Sequence, residues 1–166
     1  MIVRAFESGD WDQVWPIVEE IVRAADTYTY DPAMTESAAR ETWIEPGGGA
    51  GRTVVAVEDG RIFGTARMGP NRPGPGRHVA TASFMVSADA RGRGVGRRLC
   101  THALDWAREQ GYAGMQFNAV AASNVHAVHL YETLGFTLIG TVPGAFEHPK
   151  LGRIGLHIMY CDFAKA

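Results

Sequence analysis

The apolar positions of this chain fall into runs of two different periods, and the changes of period mark its elements. A short apolar run from Ile2 to Phe6 predicts a first strand. Ser8, Gly9 and Asp10 follow, and Asp10 is placed to cap a helix through Trp11–Ala25, "WDQVWPIVEEIVRAA". Pro16 falls in the early part of that helix, where a missing N–H costs least. "DTYTYDPAM" breaks the pattern, and a shorter helix is predicted from Thr35 to Ile44, ended by "EPGGGAG". Arg52–Met68 then sets two strand-like runs on either side of Asp59-Gly60, a pair suited to a type I′ turn, and predicts a β-hairpin. "GPNRPGPGR" reads as a loop and "HVATASFMVS" as a strand. Val95, Leu99, Ala103 and Trp106 recur at helical spacing and predict a helix to about Gln110, with Gly111 as its stop. Tyr112–Val120 reads as a strand, and Ser123–Gly135 as a helix capped by Ser123 or Asn124 and stopped by Gly135. Phe136–Val142 and Arg153–Phe163 read as closing strands separated by the loop "PGAFEHPKLG". The order β-α-α-β-β-β-α-β-α-β-β predicts an α/β fold, a mixed sheet with helices packed on it, in one domain over residues 1–166.

Composition narrows the class. Hydrophobic residues make up 46% and charged residues 20%, the balance of a folded chain rather than a disordered one. A net charge of −2 gives no electrostatic footprint for nucleic acid or an anionic membrane, and neither partner is expected. No apolar run approaches the length of a membrane span. The N-terminus turns acidic and polar at once, unlike a signal peptide. Cys100 and Cys161 have neither metal nor redox spacing and read as small packed residues, so a reducing cytoplasm is the expected location. His126 and His129 stand one helical turn apart without evident further ligands, and no metal is expected.

One stretch combines flexibility with charge. "SADARGRGVGRRLC", Ser87–Cys100, places Gly92, Gly94 and Gly96 among Arg91, Arg93, Arg97 and Arg98, between a strand and a helix. The first turn of a helix has free N–H groups and the positive end of the peptide dipoles. Phosphate binds there, glycines let it approach the backbone, and arginines add donors. The stretch therefore reads as a phosphate or pyrophosphate cradle. It lacks the third glycine of the dinucleotide fingerprint, where Arg97 stands, and the lysine of the nucleotide-triphosphate loop. A plain strand-to-helix turn with surface arginines is the alternative, and Arg98 reads equally well as a solvated helix residue.

Arg91-Gly92-Arg93-Gly94-Val95-Gly96 resembles the R/Q-x-x-G-x-G/A motif of the GNAT N-acetyltransferases. It follows an apolar strand and opens an amphipathic helix, as in that family. Asn118 at a strand end, Asn124 at a helix start and "LYETLGF" from Leu130 to Phe136 extend the resemblance, which covers Ile2 to Phe163. "ASFMVSADARGRGVGRRLC", "MQFNAVAASNVHAVHLYETLGF" and "GTVPGAFEHPKLG" are most similar to enzymes that acetylate small amines and amino acids, the phosphinothricin type among them. The resemblance implies acetyl-CoA as co-substrate, bound where the fourth and fifth strands splay apart, and a homodimer to which "RIGLHIMYC" contributes.

The same resemblance implies roles for single residues. Phe84, Met85 and Val86 would line the cofactor, with the backbones of Met85 and Val86 pairing with the pantetheine amides. Arg91, Gly92, Arg93, Gly94, Val95, Gly96 and Arg97 would supply N–H groups to the pyrophosphate, and a backbone N–H near Val86 would hold the oxyanion. Asn124 would touch the pantetheine arm, and as a helix cap it would use only one polar group. Tyr131 would protonate the leaving thiolate; its other reading is a core tyrosine on the stripe Ala127, Leu130, Tyr131, Leu134. Asn118 would orient the acceptor or a water, or else make a strand-end contact. Apart from the resemblance, Arg72 and Arg77 of the loop "GPNRPGPGR" read as cations for a substrate carboxylate, or else as solvated surface residues. Thr81 stands where relatives often carry asparagine, facing the acceptor. "HVATASFMV" lacks the acid that many phosphinothricin-type enzymes carry on this strand, so a water chain is expected in place of a direct base. Glu147 and His148 would sit in a loop over the acceptor pocket. The expected acceptor is a small-molecule amine, a free amino acid or analogue. A protein acetyltransferase and a non-catalytic acetyl-CoA-binding regulator remain as alternatives.

Overall fold

The computed structural model describes residues 1–44 and 51–164. Most of the glycine-rich segment expected to end the second helix therefore lies outside the described residues. The element order is the predicted one: β1 (Ile2–Ala5), α1 (Trp11–Ala24), α2 (Glu36–Trp43), β2 (Arg52–Glu58), β3 (Arg61–Pro70), β4 (Val79–Val86), α3 (Val95–Glu109), β5 (Gly114–Ala121), α4 (Val125–Thr133), β6 (Thr137–His148) and β7 (Gly152–Asp162). The strands form one sheet in the order β1-β2-β3-β4-β5-β7-β6. All neighbours are antiparallel except β4 and β5.

Local chemistry explains most boundaries. Trp11, Val14, Ile17, Val18 and Val22 form the buried stripe of α1, which packs with α2 on Val55, Val57, Ile62 and Met85. Asp10 does not cap α1 through its side chain. Its carboxylate instead takes two bonds from the Arg4 guanidinium, at 2.6 and 2.8 Å, and one from the Glu7 N–H at 2.8 Å. A buried carboxylate is better satisfied by a cation than by one more helix N–H. Thr35 caps α2 by accepting from Ala38 N–H. Asp59 and Gly60 both have positive φ, 49° and 78°, as a type I′ turn requires. On the opposite face α3 covers Val54, Ala56, Phe63 and Ala66 of the first strands, with Leu99 and Cys100 fully buried. Cys100 and Cys161 are free and buried, packed as small apolar residues.

Gly64 sets how closely α3 lies on β3. A Cβ there would stand 2.9 Å from the Met85 carbonyl oxygen, 3.0 Å from a Val95 methyl and 3.1 Å from a Leu99 methyl.

The closing hairpin differs from expectation. "PGAFEHPKLG" is not a loop: β6 continues through Pro143 and Gly144 to His148, and the chain turns only over 149–151. Proline is tolerated because β6 is the outermost strand and its register shifts between Val142 and Phe146. Glu147 and His148 are strand residues paired with Arg153 and Gly152. β7 lies inside the sheet between β5 and β6.

The feature that positions chemistry is the β4/β5 pair. These parallel strands are in register only at Val79–Gly114 and Ala80–Met115, after which they separate. The Ser87 N–H bonds the Phe63 carbonyl, and the Asn71 N–H bonds the Val79 carbonyl. In an antiparallel ladder such bonds alternate along the strand. Odd-numbered β4 residues therefore spend their backbone groups on β3, while Ala82, Phe84 and Val86 turn theirs to the opening.

Candidate active site

The opening is a cleft of about 980 Å³, within the range that holds a small-molecule ligand or cofactor. It is lined by β4, β5, α4, the end of α1 and the link from α1 to α2. Of the residues singled out in the sequence, Thr81, Phe84, Val86, Arg91, Gly92, Asn118, Asn124 and Tyr131 all border it. The inner edge of β4 is its spine. Met85 does not join it: its side chain is fully buried beneath α1 and α2, and its backbone faces β3 by the alternation above. Of the two backbones expected to pair with the cofactor, that of Met85 is spent on β3 and only that of Val86 faces the cleft.

One end of the cleft is the glycine turn before α3. Gly92 and Gly94 have φ of 76° and 74°, and a Cβ at either would meet nothing within 4 Å. The room beside the backbone suits a bulky anion. The start of α3 leaves the N–H groups of Val95, Gly96 and Arg97 without intrahelical acceptors. Not every amide of the stretch is free. Those of Arg91 and Arg93 close turns onto the carbonyls of Ala88 and Ala90. The Arg93 side chain is also turned away, paired with Glu58 and set over the Phe63 ring at 4.3 Å. Arg97 bonds the Thr133 hydroxyl at 2.9 Å and ties α3 to α4. Arg91 alone of these arginines lines the cleft.

Tyr131 reaches the cleft from α4. Its ring packs on Phe117 at 4.6 Å and on Phe84 at 6.2 Å. Burial pushes its hydroxyl well above the ordinary phenol range, with Tyr28 and Cys100 adding to the rise. Asn124 caps α4 by accepting from Ala127 N–H at 3.3 Å and also borders the cleft. Its two readings are compatible, because the cap uses only the amide oxygen.

The other side of β4 is polar. Asn118 donates to the Asn71 side chain at 2.6 Å and accepts from Gln116 at 2.8 Å, so its amide is held fast. Thr81 is half-buried and lines the same cleft. Arg72 and Arg77 are not brought here. Arg72 is exposed and bonds the neighbouring Asn71 carbonyl. Arg77 lines a separate cavity of about 620 Å³ with Trp106 and Tyr112. The turn after β3 carries both away from the opening.

Sequence reasoning missed the aromatic link from α1 to α2. Tyr28 and Tyr30 both line the cleft, with rings stacked at 5.6 Å. Tyr28 bonds the backbone of Phe84. Burial raises the Tyr30 hydroxyl, and the charge of nearby Arg67 opposes the rise. Arg67 is half-buried on β3 opposite Ser83. The available signal was "TYTY" itself, two hydroxyl-bearing rings two positions apart in the link between two helices.

The comparisons with known proteins agree with this geometry. Residues 15–136 match the acetyltransferase (GNAT) family. The structure of a GCN5-related N-acetyltransferase from Kribbella flavida superposes with a TM-score of 0.94 at 53% identity, covering 98% of this chain and 97% of that one. The L-amino acid N-acyltransferase MnaT of Escherichia coli is 31% identical over 131 residues, 76% of each chain. N-acetyltransferase aca1 of Schizosaccharomyces pombe is 34% identical over 101 residues, and the match spans 46% of its length.

Proposed function

Since this chain belongs to the GNAT family of N-acetyltransferases, we propose that it transfers the acetyl group of acetyl-CoA to the amino group of a small molecule, a free amino acid or close analogue. The observation that carries this reading is the inner edge of β4. Ala82 and Val86 turn backbone donors and acceptors to a cleft with an anion-ready turn at one end and a polar wall on the acceptor side, and between them those of Phe84 face the same cleft bonded to Tyr28. A pantetheine arm would lie along that edge as an added strand, with the pyrophosphate at Gly92, Gly94 and the start of α3. Asn124 would touch the arm. Tyr131 would stand at the sulfur and return a proton to the thiolate as the carbon–sulfur bond breaks.

The likeness to MnaT supports an amino-acid acceptor. Arg67 replaces Arg72 and Arg77 as the cation for a substrate carboxylate, from its place beside Tyr30 and opposite Ser83. Asn118 and Thr81 would orient the amine. We infer a cytoplasmic homodimer joined through β6, whose Leu138, Ile139 and Val142 are exposed on the outermost strand.

The test is thiol release from acetyl-CoA with a panel of amino acids, their amides and esters, simple amines and peptides. An amino acid should outperform its amide in kcat/KM. Equal rates for the two would overturn the carboxylate contact. Peptides outperforming every free amino acid would move the acceptor to protein N-termini or lysines.

A further inference from the structure

Tyr28 makes an unusual pair of bonds. Its hydroxyl donates to the Phe84 carbonyl at 2.6 Å and accepts from the Phe84 N–H at 3.0 Å. A strand edge inside a sheet is thus met, at one residue, by a side chain from a distant link. Water in an open cleft would satisfy those groups equally well, so edge satisfaction alone does not call for a tyrosine. The choice of residue is informative. Phe84 is the β4 residue whose ring adjoins Tyr131. Tyr131 packs with the α3 side of the sheet and Tyr28 with the α1 side. The two phenols therefore bracket one short stretch of the inner edge from opposite faces.

On the cofactor placement proposed above, on which this inference rests, the thioester sulfur lies at Tyr131. The carbonyl carbon is bonded to that sulfur, so its oxygen falls beside Phe84. We propose that Tyr28 is a catalytic residue: its hydroxyl and the Phe84 N–H together hold the thioester oxygen as it becomes an oxyanion. The incoming oxygen takes over the Phe84 N–H, and the Tyr28 O–H turns from the Phe84 carbonyl to that oxygen. The amine lone pair then forms the carbon–nitrogen bond, and the carbonyl π pair moves onto the oxygen between the two donors. Collapse restores the carbonyl and breaks the carbon–sulfur bond. The thiolate takes its proton from Tyr131, which recovers one from the former amine through water. Tyr28 loses no proton at any step. Its environment fits that role: burial, and next to it Tyr30, raise its hydroxyl far beyond the usual phenol range, against the opposing pull of the Phe84 N–H. A phenol held this way remains a donor. Oxyanion donors placed before the reaction starts need no rearrangement of solvent as charge develops.

The test combines kinetics with a probe that needs no acceptor. Tyr28→Phe should lower kcat for thiol release by about 10²–10³-fold, the loss typical of one oxyanion donor. Calorimetric affinity for CoA should stay close to the parent's. With acetyl-CoA carrying ¹³C at the carbonyl, the bound resonance of the parent should lie downfield of free cofactor, and Tyr28→Phe should move it back. Incorporation of 3-fluorotyrosine at position 28 keeps the fold and strengthens the donor, and should move the resonance further downfield. An unchanged kcat and resonance in both variants would reduce Tyr28 to a plug for the strand edge. A loss of CoA affinity equal to the loss in rate would make it a binding residue instead. If Gly94→Val leaves CoA affinity unchanged, the cofactor lies elsewhere; that failure belongs to the placement and removes the premise of this inference.

Discussion

Tyr131 and Asp10 show what single side chains contribute here. Burial holds the Tyr131 hydroxyl well above the phenol range, so it stays protonated through ordinary assay conditions. The kcat/KM profile should rise as the acceptor amine loses its proton and show no falling limb below pH about 10. Tyr131→Phe should keep CoA binding in calorimetry and lower kcat by about 10²–10⁴-fold. A loss of only a few-fold would leave Tyr131 as packing. Asp10 works on stability. The Arg4 guanidinium first, then the Glu7 N–H, hold its carboxyl below the usual range against the opposing effect of burial. A depressed folded pKa stabilises the fold above the unfolded value near ~3.9, and that contribution disappears as pH falls through the folded value. Asp10→Asn should cost about 2 kcal/mol in urea unfolding at pH 7, and the gap to the parent should close below pH about 4. The cleft-lining residues that the sequence singled out stand in motifs with a known spacing: Gly92, Asn124 and Tyr131. Tyr28 and Arg67 carried no such mark. Their place at the cleft comes from which strand edge or ring they reach across the fold, and no local pattern records that.

Element order and type were legible because α1 and α3 carry long apolar stripes and the shorter elements are bounded by capping and turn residues such as Thr35, Asn124 and Asp59-Gly60. The closing hairpin was the exception. Pro143 and Gly144 are breakers in an interior strand, but β6 has a free side and a bulge to absorb them. Periodicity cannot tell an outer strand from an inner one. Sheet order has the same status, since nothing local reveals that β7 lies between β5 and β6. The seating of α3 on β3 was equally invisible, because Gly64 looks like any glycine in a strand. Gly64→Ala should lower stability by about 1–3 kcal/mol, read as a drop in denaturant midpoint at constant slope. One of the three close contacts is the Met85 carbonyl, which cannot turn aside as a side chain does. At the other end of the same layer, Gly94→Val forces a branched residue into positive φ and fills the space beside the turn. Calorimetry should show strongly weakened acetyl-CoA binding with the far-UV spectrum retained.

At the scale of the whole molecule, the outer edge of the sheet is the place for a second copy. Light scattering should give twice the chain mass, and Ile139→Lys should return the protein to a monomer. A monomeric parent at working concentrations would remove the proposed dimer. The inner edge has a different consequence. A sheet normally ends in two exposed strands, but the parting of β4 from β5 gives this one a second pair of borders in its interior. Unpaired borders are where chains recruit one another into aggregates. Here α4 stands on one side of the gap and the Tyr28–Tyr30 link on the other. A second polypeptide has no flat approach to it, whereas a single flexible chain without bulky side groups can thread along it. The protein thus keeps an interior strand edge, bonded to Tyr28 at Phe84, without offering a template for fibre growth.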